Sequence, residues 1–132
     1  MSCSSCQSSD TLVTIGSEPA NIKWNIVRGD DASTTFEFYE DDGVTAKTTT
    51  GWAYLASAYN AKTTTKYSLT VTSGAGYVTV SIPNATSALW GTGSSSIVAE
   101  LSFDLQVTIS GEIWTPVIGT IVVRSDITGS SL

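Results

Sequence analysis

Cys3 and Cys6 are the first residues in the chain able to do chemistry, spaced as C-x-x-C. Two thiols at this spacing suit a redox pair or half of a zinc site. The sequence has no histidine and no further cysteine. Four-ligand zinc binding within one chain would therefore need carboxylates. A redox pair belongs at a helix start after a strand, and here the pair lies in a Ser-rich stretch. The plainer readings are a cross-link between subunits or an inert arm.

Other motifs are weaker. Arg28-Gly29-Asp30 matches an integrin-recognition tripeptide, but three residues recur by chance. Its plain reading is a strand end and turn, with Gly29 giving backbone freedom and Asp30 or Asp31 capping it. Glu40-Asp41-Asp42-Gly43 together with Asp30 and Asp31 is acidic enough for calcium but lacks EF-hand spacing, and a solvated hairpin tip explains it. Asn84-Ala85-Thr86 is a glycosylation sequon, of use only in a secreted chain. General-base work at neutral pH most often uses histidine, which is absent. No G-x-S-x-G or phosphate loop occurs, and Asp104 falls on a polar strand face with no evident partner. No enzyme, catalytic residue, metal or cofactor is expected. Trp24, Trp52, Trp90, Trp114 and five Tyr could form a sugar-binding platform. Yet Trp24, Trp52 and Trp114 lie in alternating runs, where core packing is the usual use.

The elements that must position these residues are written in period two. From Ile97 to Ile109 every odd residue is apolar, and after Val98 every even residue is polar. Such alternation puts the apolar groups on one face of a strand that spans roughly 43 Å at about 3.3 Å per residue. A turn at Ser110-Gly111-Glu112 leads into a second β-rich run, Trp114 to Val123, which predicts a long antiparallel hairpin. Shorter alternating runs surround Trp24, Phe36, Trp52–Ala58, Tyr67–Val71 and Val78–Ile82, separated by Gly-, Asp- and Ser-rich turns. One helical piece is expected at Pro83–Trp90, stopped by Gly91. The expected fold is all-β: an antiparallel β-sandwich of about seven strands with one short helical turn. Residues 1–20 read as a flexible Ser-rich arm, and 21–132 as the sandwich domain.

The last run differs, because both of its faces are apolar. Val117, Ile121 and Val123 fall on one side, and Trp114, Ile118 and Val122 on the other. A strand apolar on both faces is covered on both, so the arm, the helical turn or another subunit is expected to cover the second face. The expected interface residues are Val117, Ile121 and Val123, with Cys3 and Cys6 on the arm.

Composition narrows the partners. The chain has 132 residues, the size of one domain, with 41% apolar residues. Charged residues make up 14%, against roughly 25% in an average globular protein. Ser and Thr supply about 30% of the chain and give a neutral, hydroxyl-rich surface. Net charge is −6, and the six cations are scattered without forming a phosphate-binding stripe, so no nucleic-acid partner is expected. No run is long enough to cross a membrane as a helix, and the N-terminal residues do not read as a signal peptide.

The order of these segments resembles a known pattern. W-N-I-V-R-G-D-D-A-S-T-T-F-E-F-Y-E-D-D-G (Trp24 to Gly43) is followed by T-G-W-A-Y-L-A-S-A-Y (Thr50 to Tyr59). V-T-V-S-I-P-N-A-T-S-A-L-W (Val78 to Trp90), F-D-L-Q-V-T (Phe103 to Thr108) and T-P-V-I-G-T-I-V-V (Thr115 to Val123) follow in turn. Over about residues 22 to 128 this is similar to the small all-β domain of tailed-bacteriophage virion proteins. That domain includes the N-terminal domain of siphophage baseplate upper proteins and head or tail accessory proteins. The resemblance implies a virion structural protein that assembles as an oligomer, has no enzymatic activity and transfers no catalytic residue. Two features depart from the pattern: the sequence reaches Leu132 soon after the last strand, so a module without a stalk or receptor-docking domain is expected, and the cysteine-bearing arm is additional. A stand-alone module of this kind is expected to be a capsid decoration or cement protein. It would be a homo-oligomer bound to the major capsid protein or tail proteins, located in the virion after assembly in the host cytoplasm. A tail, neck or baseplate adaptor is the nearest alternative. A carbohydrate-binding or host-adhesion module is the alternative from another class.

Overall fold

Each period-two run folds as a strand in the computed structural model, which describes residues 19–93 and 95–127. The strands are β1 (Ala20–Val27), β2 (Ala32–Glu37), β3 (Ala53–Asn60), β4 (Thr65–Gly74), β5 (Tyr77–Ile82), β6 (Ile97–Ile109) and β7 (Glu112–Arg124), with one helical turn, α1 (Asn84–Ser87), between β5 and β6. They form a single seven-stranded mixed sheet in the order β1-β7-β6-β3-β4-β5-β2, nearly closed into a barrel. β4 is the corner. Its first half, to Leu69, pairs with β3, and from Thr70 it pairs with β5.

The long hairpin forms as the sequence predicts. β6 and β7 pair antiparallel across Ser110 and Gly111, both at positive φ (51° and 85°). Two such residues make the turn whose twist matches that of the flanking strands. The pairing of β1 departs from the expected antiparallel arrangement: it lies parallel to β7, Ile22 beside Gly119 and Trp24 beside Ile121. Alternation reports which face a residue occupies but not which strand it joins. Gly119 permits this pairing, because a Cβ there would lie 2.1 Å from the Ile22 carbonyl oxygen.

Two bulges alter the expected faces. Between Leu105↔Val117 and Val107↔Trp114, β7 carries one residue more than β6, at Thr115-Pro116. Pro116 has no N–H for the ladder, and a bulge accommodates it. The slip turns Trp114 onto the same face as Val117, and both are buried in the core. Trp114 is therefore not on the face of Ile118 and Val122, as strict alternation predicted. The second bulge, at Val98, packs Val98 and Ala99 against the core and leaves Ile97 exposed, removing Ile97 from the apolar face of its run.

The core is closed by β2 folding over β6 and β7. Phe36 stacks on Phe103 at 6.3 Å, Phe38 meets Trp114 at 6.2 Å, and Trp24 meets Phe103 edge-on at 5.8 Å. Ala56 and Ala58 on β3 leave room for these rings. Side chains of this size contribute about 1.5–3 kcal/mol each on full burial.

Candidate functional site

The R-G-D-D segment is built into the scaffold. Gly29 sits at φ +86° in the turn after β1. Its N–H donates to the Ser87 hydroxyl (3.0 Å), and that hydroxyl donates to the Asp30 carbonyl (2.8 Å). The Asp31 carboxylate accepts the N–H of Asn84, the first residue of α1, at 2.7 Å, and Arg28 donates to the Gly91 carbonyl at 3.4 Å. Ser87 is fully buried. The tripeptide thus ties the β1–β2 turn to α1, and only its Asp30 is exposed.

The acidic tip is a self-contained turn. The Asp42 carboxylate accepts the N–H groups of Val44 and Thr45 (both 2.8 Å) and the Thr45 hydroxyl (2.6 Å). The Thr45 hydroxyl and the two backbone N–H groups lower the Asp42 pKa to about 2. Lys47 pairs with Glu40 at 3.4 Å. Among the described residues no three metal-ligating side chains cluster.

The tryptophans form no surface platform. Trp90 and Trp114 are buried, and Trp24 and Trp52 pack against the core. Of the expected interface residues, Val117, Ile121 and Val123 are 2%, 0% and 0% exposed within the core of the chain itself. These three present nothing to a partner. Cys3 and Cys6, with the arm to residue 18, lie outside the described residues. On the other face of β7, Val122 is also buried, among Lys23, Ile97, Glu100 and Thr120.

What this outer face leaves open is a trough of about 590 Å³ across β3, β6 and β7. Register places Ser57 opposite Asp104 and Asp104 opposite Ile118, with Tyr59 opposite Ser102 and Ser102 opposite Thr120 in the next row. Gln106 lies beside Leu55, and Asn21 of β1 and Lys66 of β4 line the margins. Leu55, Tyr59 and Ile118 are exposed. None of the polar side chains lining it hydrogen-bonds or ion-pairs with another group among the described residues. The sequence pattern did not disclose this site, although Ser102, Asp104 and Gln106 are even positions of the Ile97–Ile109 run. The signal available was that outward-facing set, opposed by the aromatic Tyr59.

Compared with known proteins, the chain matches no family model and no curated protein sequence.

Proposed function

We propose that the chain is a structural accessory protein of a tailed-phage virion, acting as a capsid decoration or cement subunit. The observation that carries this reading is where the motif order falls in the fold. Arg28-Gly29-Asp30 makes the turn that ends β1, and β2 ends at Glu37, ahead of the turn that holds Asp42-Gly43. Thr50-Gly51-Trp52 opens β3, and α1 precedes the F-D-L-Q strand β6. Thr115 to Val123 forms the body of β7. These segments thus fall, in order, on successive elements of one sheet, and that order is what supports the reading. In this reading the sheet works as a two-layer sandwich sharing β4.

The surface that would seat on the particle is the end of the sheet at α1. There Arg28 bonds to Arg124, Ser125 bonds to Ser96, and Gly91 packs on Val98. Val27, Leu89, Ile97 and Ile127 are all exposed on these converging segments. Exposed apolar groups gathered at one place mark an interaction surface. A tail, neck or baseplate adaptor would use the same surface.

The test is co-sedimentation of the purified full chain with tailed-phage particles stripped of accessory proteins. The expected result is saturable, symmetric-copy-number binding that raises the temperature at which the heads rupture. Removing residues 1–18 should leave a folded domain with weaker binding. Leu89→Asp combined with Ile97→Asp should abolish binding. Absence of binding by the full chain to heads and to tails would reject the proposal.

A further inference from the structure

The outer-face trough has a composition that selects a ligand class. Its centre is the Asp104 carboxylate, an acceptor for up to four hydrogen bonds. Around it stand Ser57 and Ser102, which donate and accept, and the amides of Asn21 and Gln106, which do both in fixed planes. All of these groups are free to bond a ligand, since none has a partner among the described residues. Tyr59 and Leu55 lie four residues apart on the same face of β3, about 13 Å along the strand, with Ile118 across from Asp104. Apolar groups therefore alternate with dense hydrogen-bonding groups rather than joining into one patch.

We infer that this trough binds a neutral oligosaccharide. A sugar ring has the matching surface: hydroxyls that donate to a carboxylate and accept from amides, and a C–H face that lies on an aromatic ring. Other ligands fit less well. An anion would meet Asp104 at the centre, with a single cation, Lys66, at the margin. A metal ion would find one carboxylate and no cluster of ligands among the described residues. A second copy joined about a two-fold axis through the trough would bring Asp104 against its own mate, which low-dielectric burial penalises. The trough lies on regular strands, so it is preformed and its side chains are held at fixed spacing. This inference does not depend on a virion role.

The experiment uses the full chain on a printed array of neutral glucose-, galactose- and N-acetylglucosamine-based oligosaccharides with sialylated counterparts. Titration calorimetry on the best neutral trisaccharide follows. The expected result is retention of neutral glycans. Tyr59→Ala and Asp104→Asn should each weaken the affinity at least about tenfold, equal to about 1.4 kcal/mol. Tyr77→Ala, an exposed tyrosine outside the trough, should bind as the parent does. Three results would each overturn the inference: no neutral glycan retained by the parent chain, parent-like affinity in both Tyr59→Ala and Asp104→Asn, or concentration-dependent self-association abolished by Leu55→Lys. Circular dichroism of each variant establishes that it is folded before its binding is read.

Discussion

Replacing Ser87 with alanine tests whether the R-G-D-D turn and α1 form one structural unit. The Ser87 hydroxyl takes the Gly29 N–H, donates to the Asp30 carbonyl and lies 3.3 Å from the Asn84 carbonyl. The residue is 0% exposed, so water cannot readily replace it. Ser87→Ala leaves the Gly29 N–H and the Asp30 carbonyl without this partner, and each such group costs about 1–3 kcal/mol when buried. Gly29 is only partly buried and Asp30 is exposed, so the lower part of that range applies. The expected loss is about 2–3 kcal/mol in total. Urea unfolding followed by tryptophan fluorescence should show a midpoint lower by about 1–2 M with unchanged slope. The thermal midpoint should fall by about 6–10 °C at this chain length. Ser68→Ala, on an exposed site of β4, is the control and should stay within about 0.5 kcal/mol of the parent. If Ser87→Ala is as stable as that control, the turn and α1 are not joined through this hydroxyl.

Three further outcomes follow from the same structure. Ile121→Ala should cost about 2–5 kcal/mol by opening a core cavity, while Ile118→Ala on the outer face should cost under about 1 kcal/mol; equal losses in urea unfolding would contradict the assignment of faces. Gly119→Ala forces a Cβ against the Ile22 carbonyl at 2.1 Å, so amide hydrogen exchange in β1 should rise well before β3 and β6 respond, and unchanged protection of β1 would count against the parallel pairing. The Asp42 pKa is depressed to about 2 from the usual 3.8, so its carboxylate stabilises the turn fully above the unfolded value and stops doing so as pH falls through about 2. NMR titration of the Thr45 amide should show its midpoint there, and a midpoint near 4 would mean that the turn bonds do not form in solution.

The parts of this fold that the sequence discloses are those governed by side-chain period. The hairpin of β6 and β7, the helical turn before Gly91 and the burial of Phe36, Ala56, Ala58, Leu101, Leu105 and Val107 all follow from alternation and turn chemistry. What it conceals depends on partners distant in the chain. Nothing within Ala20–Val27 says that it will lie parallel to β7. The Pro116 bulge shifts the register by one residue and moves Trp114 to the other face, so counting alternate residues through it gives the wrong set. The trough was hidden for a related reason. Ser57, Tyr59, Asp104 and Ile118 come from three strands, and only cross-strand register brings them together. The structural use of Arg28 to Asp31 was legible as a turn, but its tie to Ser87 spans more than fifty residues.

The proposed virion role is tested most directly by cryo-electron microscopy of particles produced from the genome that encodes this chain, compared with particles from which its gene has been deleted. The expected result is difference density the size of this domain at symmetry-related positions on the head, with the α1 end seated on the particle and the β3–β6–β7 face outward. Particles of identical density, with the protein recovered only from the soluble fraction, would contradict it.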